Sequence, residues 1–269
     1  MPRLRLDLAY DGGGFSGWAV QPGLRTCQGE LERALATIVR EPVRIVVAGR
    51  TDAGVHASGQ VTHVDVPEGL EVVPRLAHRI SRLAAPEGDL VVRAVALAPR
   101  GFDARFSAVS RSYRYRIVTG PADPLERRTA AHVPGPLDVD AMRRAAEALV
   151  GLRDFAAFCK PREGATTIRE LRELAWTQDG PLLTASLTAD AFCHSMVRAI
   201  VSACVRVGEG RMGLAEAAAL LDERSRSART GLMPPHGLTL VSVGYPPDEG
   251  LAAQAARARA LRSADDVED

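Results

Sequence analysis

The chain has 269 residues, 46% hydrophobic and 25% charged, with 34 basic side chains against 33 acidic for a formal net charge of +1. These are globular proportions, and they exclude a disordered, collagenous or disulfide-stapled chain. The near-neutral balance also excludes a protein that coats nucleic acid by bulk attraction, although a local basic groove remains possible.

Leu4, Leu6, Leu8 and Tyr10 alternate with Arg3, Arg5, Asp7 and Ala9, a period of two that predicts a strand. A turn follows at Asp11–Gly14. Leu31, Ala34, Leu35, Ile38 and Val39 then share one helical face, and Pro42 ends that helix. Val43–Ala48 reads as a short strand, Gly49–Ser58 as a loop and Gly59–Val66 as a strand. Pro74–Leu83 reads as a helix and Leu90–Leu97 as a strand. The order is β-α-β-β-α-β.

That order then repeats without any residue-level repeat. Arg111–Val118 is a strand, with Tyr113, Tyr115 and Ile117 on one face. Met142, Ala145, Ala146 and Leu149 mark a helix. Ile168–Thr177 and Leu182–Thr188 read as a strand pair around Asp179-Gly180-Pro181. Phe192, Met196, Ile200, Cys204 and Val207 mark a long helix, Ala215–Leu221 a shorter one and Leu238–Tyr245 the last strand. The expected fold class is α+β: two ferredoxin-like halves, residues 1–105 and 106–246, with antiparallel sheets and an active cleft between them. Residues 247–269, rich in Ala and Arg and then acidic, read as a dispensable tail, helical or frayed.

No apolar run approaches the roughly 18 residues that span a bilayer, and Met1–Arg5 does not open a secretory signal. The cysteines Cys27, Cys159, Cys193 and Cys204 contain no C-x-x-C pair, so neither a zinc site nor a redox motif is indicated. A cytoplasmic protein is expected.

Gly12–Gly17 fits the dinucleotide pattern G-x-G-x-x-G, but no helix opens at its third glycine and an antiparallel order lacks the parallel crevice such cofactors use. Arg100-Gly101-Phe102 starts like an RNA-recognition box that Asp103 and Ala104 break. His56, His63, His194 and His236 show no metal-ligand spacing. Lys160 is the only lysine, and the arginines offer planar forks for phosphate and base edges.

The informative string is Gly49-Arg50-Thr51-Asp52-Ala53-Gly54-Val55-His56-Ala57. An Asp in such a setting is ordinarily a turn residue capping its own backbone. Three features set this one apart. Gly49 and Gly54 let the backbone bend and approach a ligand. Arg50 is close enough in sequence to stabilise an ionised Asp52. Both flanks are predicted strands, so the loop stands on a rigid base.

With this string the chain resembles the tRNA pseudouridine synthase A family. The resemblance runs from the first strand to about Pro246. It includes Tyr10-Asp11-Gly12 with Phe15-Ser16-Gly17-Trp18, Phe102–Ala108 with Arg111 and Tyr113-Arg114-Tyr115, and Asp154-Phe155 with Phe158. Further on it includes Ala191-Phe192 with Met196-Val197-Arg198, and Gly237-Leu238 with Leu240-Val241. Ala19 stands where the family often has Gln, and Arg79–Asp89 lacks an asparagine-bearing pattern.

The resemblance implies an enzyme that cleaves the N1–C1′ bond of uridine, rotates the base and rejoins it through C5, without cofactor or metal. It implies Asp52 as the essential carboxylate, attacking C1′ or C6 or removing a sugar proton. Tyr113 would stack on the base, Arg50 would guide the flipped nucleotide, and Arg198 would be the basic partner that supports the carboxylate across the cleft. If Arg198 is half of a buried ion pair, its loss costs roughly 3–5 kcal/mol. The partners implied are tRNA, at the 3′ side of its anticodon stem-loop, and a second copy of the chain in a homodimer. The rival readings are a non-enzymatic RNA-binding protein, which explains the arginines and the fold but not the string around Asp52, and the same enzyme class acting on another stem or another small RNA.

Overall fold

The computed structural model of the chain describes residues 1–70, 72–121, 123–160 and 166–259. They divide into two compact units, Met1–Val109 with the chain from Thr239 onward, and Ser110–Leu238.

In the first unit, β1 (Arg3–Tyr10) buries Leu4, Leu6 and Leu8 on one face, each contributing about 1.5–3 kcal/mol relative to exposure. α1 (Cys27–Val39) starts where the Thr26 hydroxyl accepts from the Gly29 N–H. It ends at Arg40, which turns left-handed (φ 64°) ahead of Pro42. β2 (Ile45–Val47), β3 (His56–Asp65), α2 (Leu76–Ala84) and β4 (Leu90–Leu97) follow. β1 lies between β4 and β3, β2 pairs with β3, and all these pairings are antiparallel. α2 packs on β4 and on α1.

The second unit contains β5 (Ser110–Thr119), β6 (Ala131–Val133), α3 (Val139–Leu149), β7 (Gly151–Asp154), β8 (Ile168–Asp179), β9 (Leu182–Ala189), α4 (Met196–Gly208) and α5 (Leu214–Ala219). β9 runs antiparallel to both β5 and β8, and β7 is antiparallel to β8. β6 runs parallel to β5. β6 and β7 are too short to carry a period and are absent from the expected order. α3, capped by the Asp138 side chain accepting from the Ala141 N–H, packs on β8 and α4. Phe192, expected on the long helix, lies before it. Ser195 takes a left-handed φ of 66° and α4 begins only at Met196, so the i, i+4 spacing of Phe192 and Met196 is not a helical one.

The chain then returns to the first unit. In β10 (Leu238–Gly244), Thr239 and Leu240 pair in parallel with His56 and Ala57. This differs from the expectation in two ways: from Thr239 the last strand clusters with the first unit rather than with 106–246, and neither set of strands is wholly antiparallel. The physical reason lies in β3. β2 covers only its Thr62–Val64 stretch, which leaves the backbone at His56 and Ala57 open to another partner. Gly59 permits the approach, because a Cβ there would sit 2.0 Å from the Val241 carbonyl oxygen. The same pairing explains why β3 starts at His56 rather than at Gly59.

The tail is also docked. α6 (Leu251–Arg257) buries Leu251 in a cluster with Ala48, Val61, Phe102 and Ala104, and Ser107 Oγ donates to the Leu251 carbonyl at 3.1 Å. The described part of the tail is therefore helical and packed rather than frayed. Positions 260–269 of the expected tail lie outside the described residues.

Candidate active site

The loop between β2 and β3 carries Arg50 and Asp52, and its shape follows from its own sequence. Asp52-Ala53-Gly54-Val55 is a turn closed by the Val55 N–H on the Asp52 carbonyl (3.1 Å). Gly54 occupies its third position with φ +79°, where glycine is favoured. Upstream, the Thr51 carbonyl accepts from the Trp18 N–H at 3.0 Å. The Thr51 hydroxyl is hydrogen-bonded to Tyr10 Oη at 2.8 Å. Gln60 Nε2 donates to Tyr10 Oη at 3.2 Å and to the Gly49 carbonyl at 2.8 Å. The Asp52 side chain is half-buried, whereas Arg50 is exposed.

Arg50 does not pair with Asp52: among the described residues its side chain makes no hydrogen bond or ion pair. Asp52 thus receives no hydrogen bond or ion pair from this neighbour.

The segment Gly12–Trp18 forms the wall behind the loop. Gly12 and Gly17 serve close backbone approach. A Cβ on Gly12 would lie 2.0 Å from the Val55 carbonyl oxygen. One on Gly17, whose φ is +87°, would lie 3.1 Å from the Ala53 nitrogen and 3.2 Å from the Thr51 oxygen. The Gly12 N–H donates to His56 Nδ1 at 3.0 Å, and Asp11 Oδ1 lies 3.0 Å from the same nitrogen. Tyr10, Phe15 and Trp18 are buried, with Phe15 and Trp18 ring centroids 6.4 and 6.0 Å from that of Tyr10. Sequence reasoning missed Tyr10, Thr51 and Gln60 as parts of this frame. The available signal was Gln60, a polar residue inside a predicted apolar strand that has to find partners if buried.

The other two predicted residues belong to the second unit. Tyr113, on β5, is 8% exposed and meets Phe192 edge-on, with centroids 5.1 Å apart and rings at 87°. Tyr115, on the same face, is fully buried and donates to the Pro234 carbonyl at 2.7 Å. Burial pushes its phenol pKa up, and the nearby charge of Arg198 opposes that rise. Tyr115 is thus a core residue with a satisfied hydroxyl. Arg198, in the first turn of α4, donates from Nε to the Met233 carbonyl at 2.7 Å. The Met233 N–H returns a bond to the Arg198 carbonyl at 3.3 Å. The guanidinium is therefore oriented by the segment before β10.

Among the described residues no group of three His, Cys, Asp or Glu side chains is placed to hold a metal ion, and no helix is long and apolar enough to cross a membrane.

A family model described as tRNA pseudouridine synthase matches residues 145–246. Relatives match far more of the chain. A tRNA pseudouridine synthase A of Leifsonia xyli subsp. xyli is 51% identical, covering 97% of this chain and 98% of its own. The protein of that name from Mycobacterium leprae is 50% identical, covering 97% and 96%. The one from Cutibacterium acnes is 50% identical, covering 100% and 98%. The chain belongs to the tRNA pseudouridine synthase A family. Alignments of this extent include both units.

Proposed function

We propose that the chain isomerises uridine to pseudouridine in tRNA, at the 3′ side of the anticodon stem-loop, with Asp52 as the essential carboxylate. The observation that carries this reading is the full-length relationship at about 50% identity to proteins of that name. The loop geometry supports it: a half-buried carboxylate stands on a backbone tied at Gly49, Thr51 and Asp52 itself. Positioning of that kind lowers a barrier without any cofactor.

In this reading Asp52 acts ionised, at C1′, at C6 or on a sugar proton. Tyr113 stacks on the target base, an interaction worth roughly 1–3 kcal/mol. The exposed Arg50 fills the space that the flipped nucleotide leaves, offsetting part of a flipping cost of a few kcal/mol. Arg198 is the cation that supports the reaction, held by Met233. The protein works in the cytoplasm as a homodimer, and the element order along the chain supports a duplicated ferredoxin-like plan.

Tritium release from tRNA labelled with [5-³H]uridine tests the reading. The wild type releases tritium as C5 is glycosylated, and Asp52→Asn releases none while still binding tRNA. A wild type that binds tRNA without release would make it a non-enzymatic RNA-binding protein. Release from a uridine outside the anticodon stem-loop would overturn the assigned target.

A further inference from the structure

We propose that Tyr10, Thr51 and Gln60 form a positioning network that sets the Asp52 carboxylate, an inference that rests on the functional reading above and adds residues to it. All three polar groups are buried: Gln60 is 0%, Tyr10 5% and Thr51 6% exposed. They come from three places in the first unit, the end of β1, the loop and the middle of β3, and meet at one hydroxyl. Tyr10 Oη takes an N–H of Gln60 at 3.2 Å and bonds the Thr51 hydroxyl at 2.8 Å. The second Gln60 N–H goes to the Gly49 carbonyl at 2.8 Å, using the whole donor capacity of the amide.

The network therefore grips the loop on both sides of Arg50. One grip is on the Gly49 backbone, the other on the side chain directly before Asp52. The Trp18 N–H on the Thr51 carbonyl and the Val55 N–H on the Asp52 carbonyl hold the main chain on either side of the Asp52 nitrogen. With these four bonds in place the backbone at Asp52 has little freedom, and its side chain leaves the loop in a set direction. Buried, mutually bonded polar side chains act as a unit, so losing one member loosens the others. None of the three side chains needs to touch the substrate. Their effect is on where Asp52 points, and a displacement near 1 Å costs a rate on the order of 10²-fold.

The test measures single-turnover conversion of tRNA, tRNA binding and the thermal midpoint for Tyr10→Phe, Thr51→Val, Thr51→Ser and the Tyr10→Phe/Thr51→Val double variant. Tyr10→Phe keeps the ring that packs on Trp18 and deletes only the hydroxyl. Tyr10→Phe and Thr51→Val are each expected to lose roughly 10–100-fold in the conversion rate, with tRNA affinity within about twofold of wild type. The double variant should be no slower than the worse single, because one network is lost either way. Thr51→Ser, which keeps the hydroxyl, should recover to within about threefold.

Wild-type rates in both single variants, strictly multiplicative losses in the double variant, or a Thr51→Ser variant as slow as Thr51→Val would each overturn the network. A wild type that converts no uridine, or an Asp52→Asn variant that keeps converting it, would instead overturn the functional reading and this inference with it.

Discussion

The two units hold their functional side chains by different means. In the first, Asp52 sits within a contiguous string whose own turn, glycines and hydroxyl position it, against a wall reached through Gly12 and Gly17. In the second, Arg198 is aimed by a bond to Met233, far along the chain, and Tyr113 by a ring that precedes the helix. The first arrangement combines backbone against backbone with buried side-chain hydrogen bonds, and it has little slack. The second is side chain against backbone or ring.

The largest effect should come from testing that lack of slack. Gly12→Ala places a methyl 2.0 Å from the Val55 carbonyl oxygen and 2.5 Å from its carbon, two backbone atoms that cannot rotate away. The expected cost is about 3 kcal/mol or more, at the upper end of overpacking effects, with loss of conversion. Gly23→Ala is the control within the same unit. Unlike Gly12 it has a positive φ (+73°), and the space around it is open, so only the conformational cost of about 1 kcal/mol is expected. Equal thermal midpoints for the two variants would show that close approach is not what Gly12 provides.

A smaller effect is expected in the second unit. Tyr115→Phe keeps the ring that Gly237 accommodates, where a Cβ would come within 2.7 Å of Cζ, and deletes the hydroxyl bonded to Pro234. The Pro234 carbonyl loses its partner, a cost of about 1–3 kcal/mol, read as a lowered denaturation midpoint. Conversion at a temperature where the variant is folded should fall little, because Arg198 is held by Met233 rather than by Tyr115. A large loss of conversion with unchanged stability would give Tyr115 a direct role and remove the distinction drawn between it and Tyr113.

The same contrast explains what was legible in the sequence. The alternation of Leu4, Leu6 and Leu8, the helical face of Leu31, Ala34 and Leu35 and the strand pair around Gly180 are local patterns, and each marks a real element. The Asp52 loop is legible because its turn, glycines and flanking strands are contiguous. Tyr10 and Gln60 were not, since their partnership crosses from one strand to another and no spacing records it. The parallel pairing of β10 was invisible for the same reason: it depends on how short β2 is and on the missing side chain at Gly59. Phe192 misled because apolar spacing continued through a residue, Ser195, whose backbone breaks the helix.

The smallest expected effect is a pH dependence seated in the first unit. His63, on β3, is 3% exposed, accepts the Ala104 N–H on Nδ1 at 2.9 Å and meets Phe102 edge-on. Burial lowers its pKa below the ordinary 6.5; the nearby Arg3 charge lowers it further, against an opposing pull from Asp103 and Asp65. The folded state therefore resists a proton that the unfolded chain accepts. Stability from this group is complete above pH 6.5 and declines as the pH falls below it. Asp65 behaves differently. Its hydrogen bond with Arg3 holds its pKa below 3.8, so its contribution is present above that value and is lost only in stronger acid. Denaturation midpoints from about pH 7.5 to about pH 5.5 should therefore fall for the wild type. They should fall less for His63→Asn, whose amide oxygen stands where Nδ1 stands and can still accept the Ala104 N–H but does not titrate. Hydrogen exchange can place the loss: amides of β3 should lose protection across this window before those of β9. Parallel slopes for the two proteins, or a loss that starts in β9, would remove His63 as the cause and leave the backbone-held unit with no acid sensitivity of its own near neutral pH.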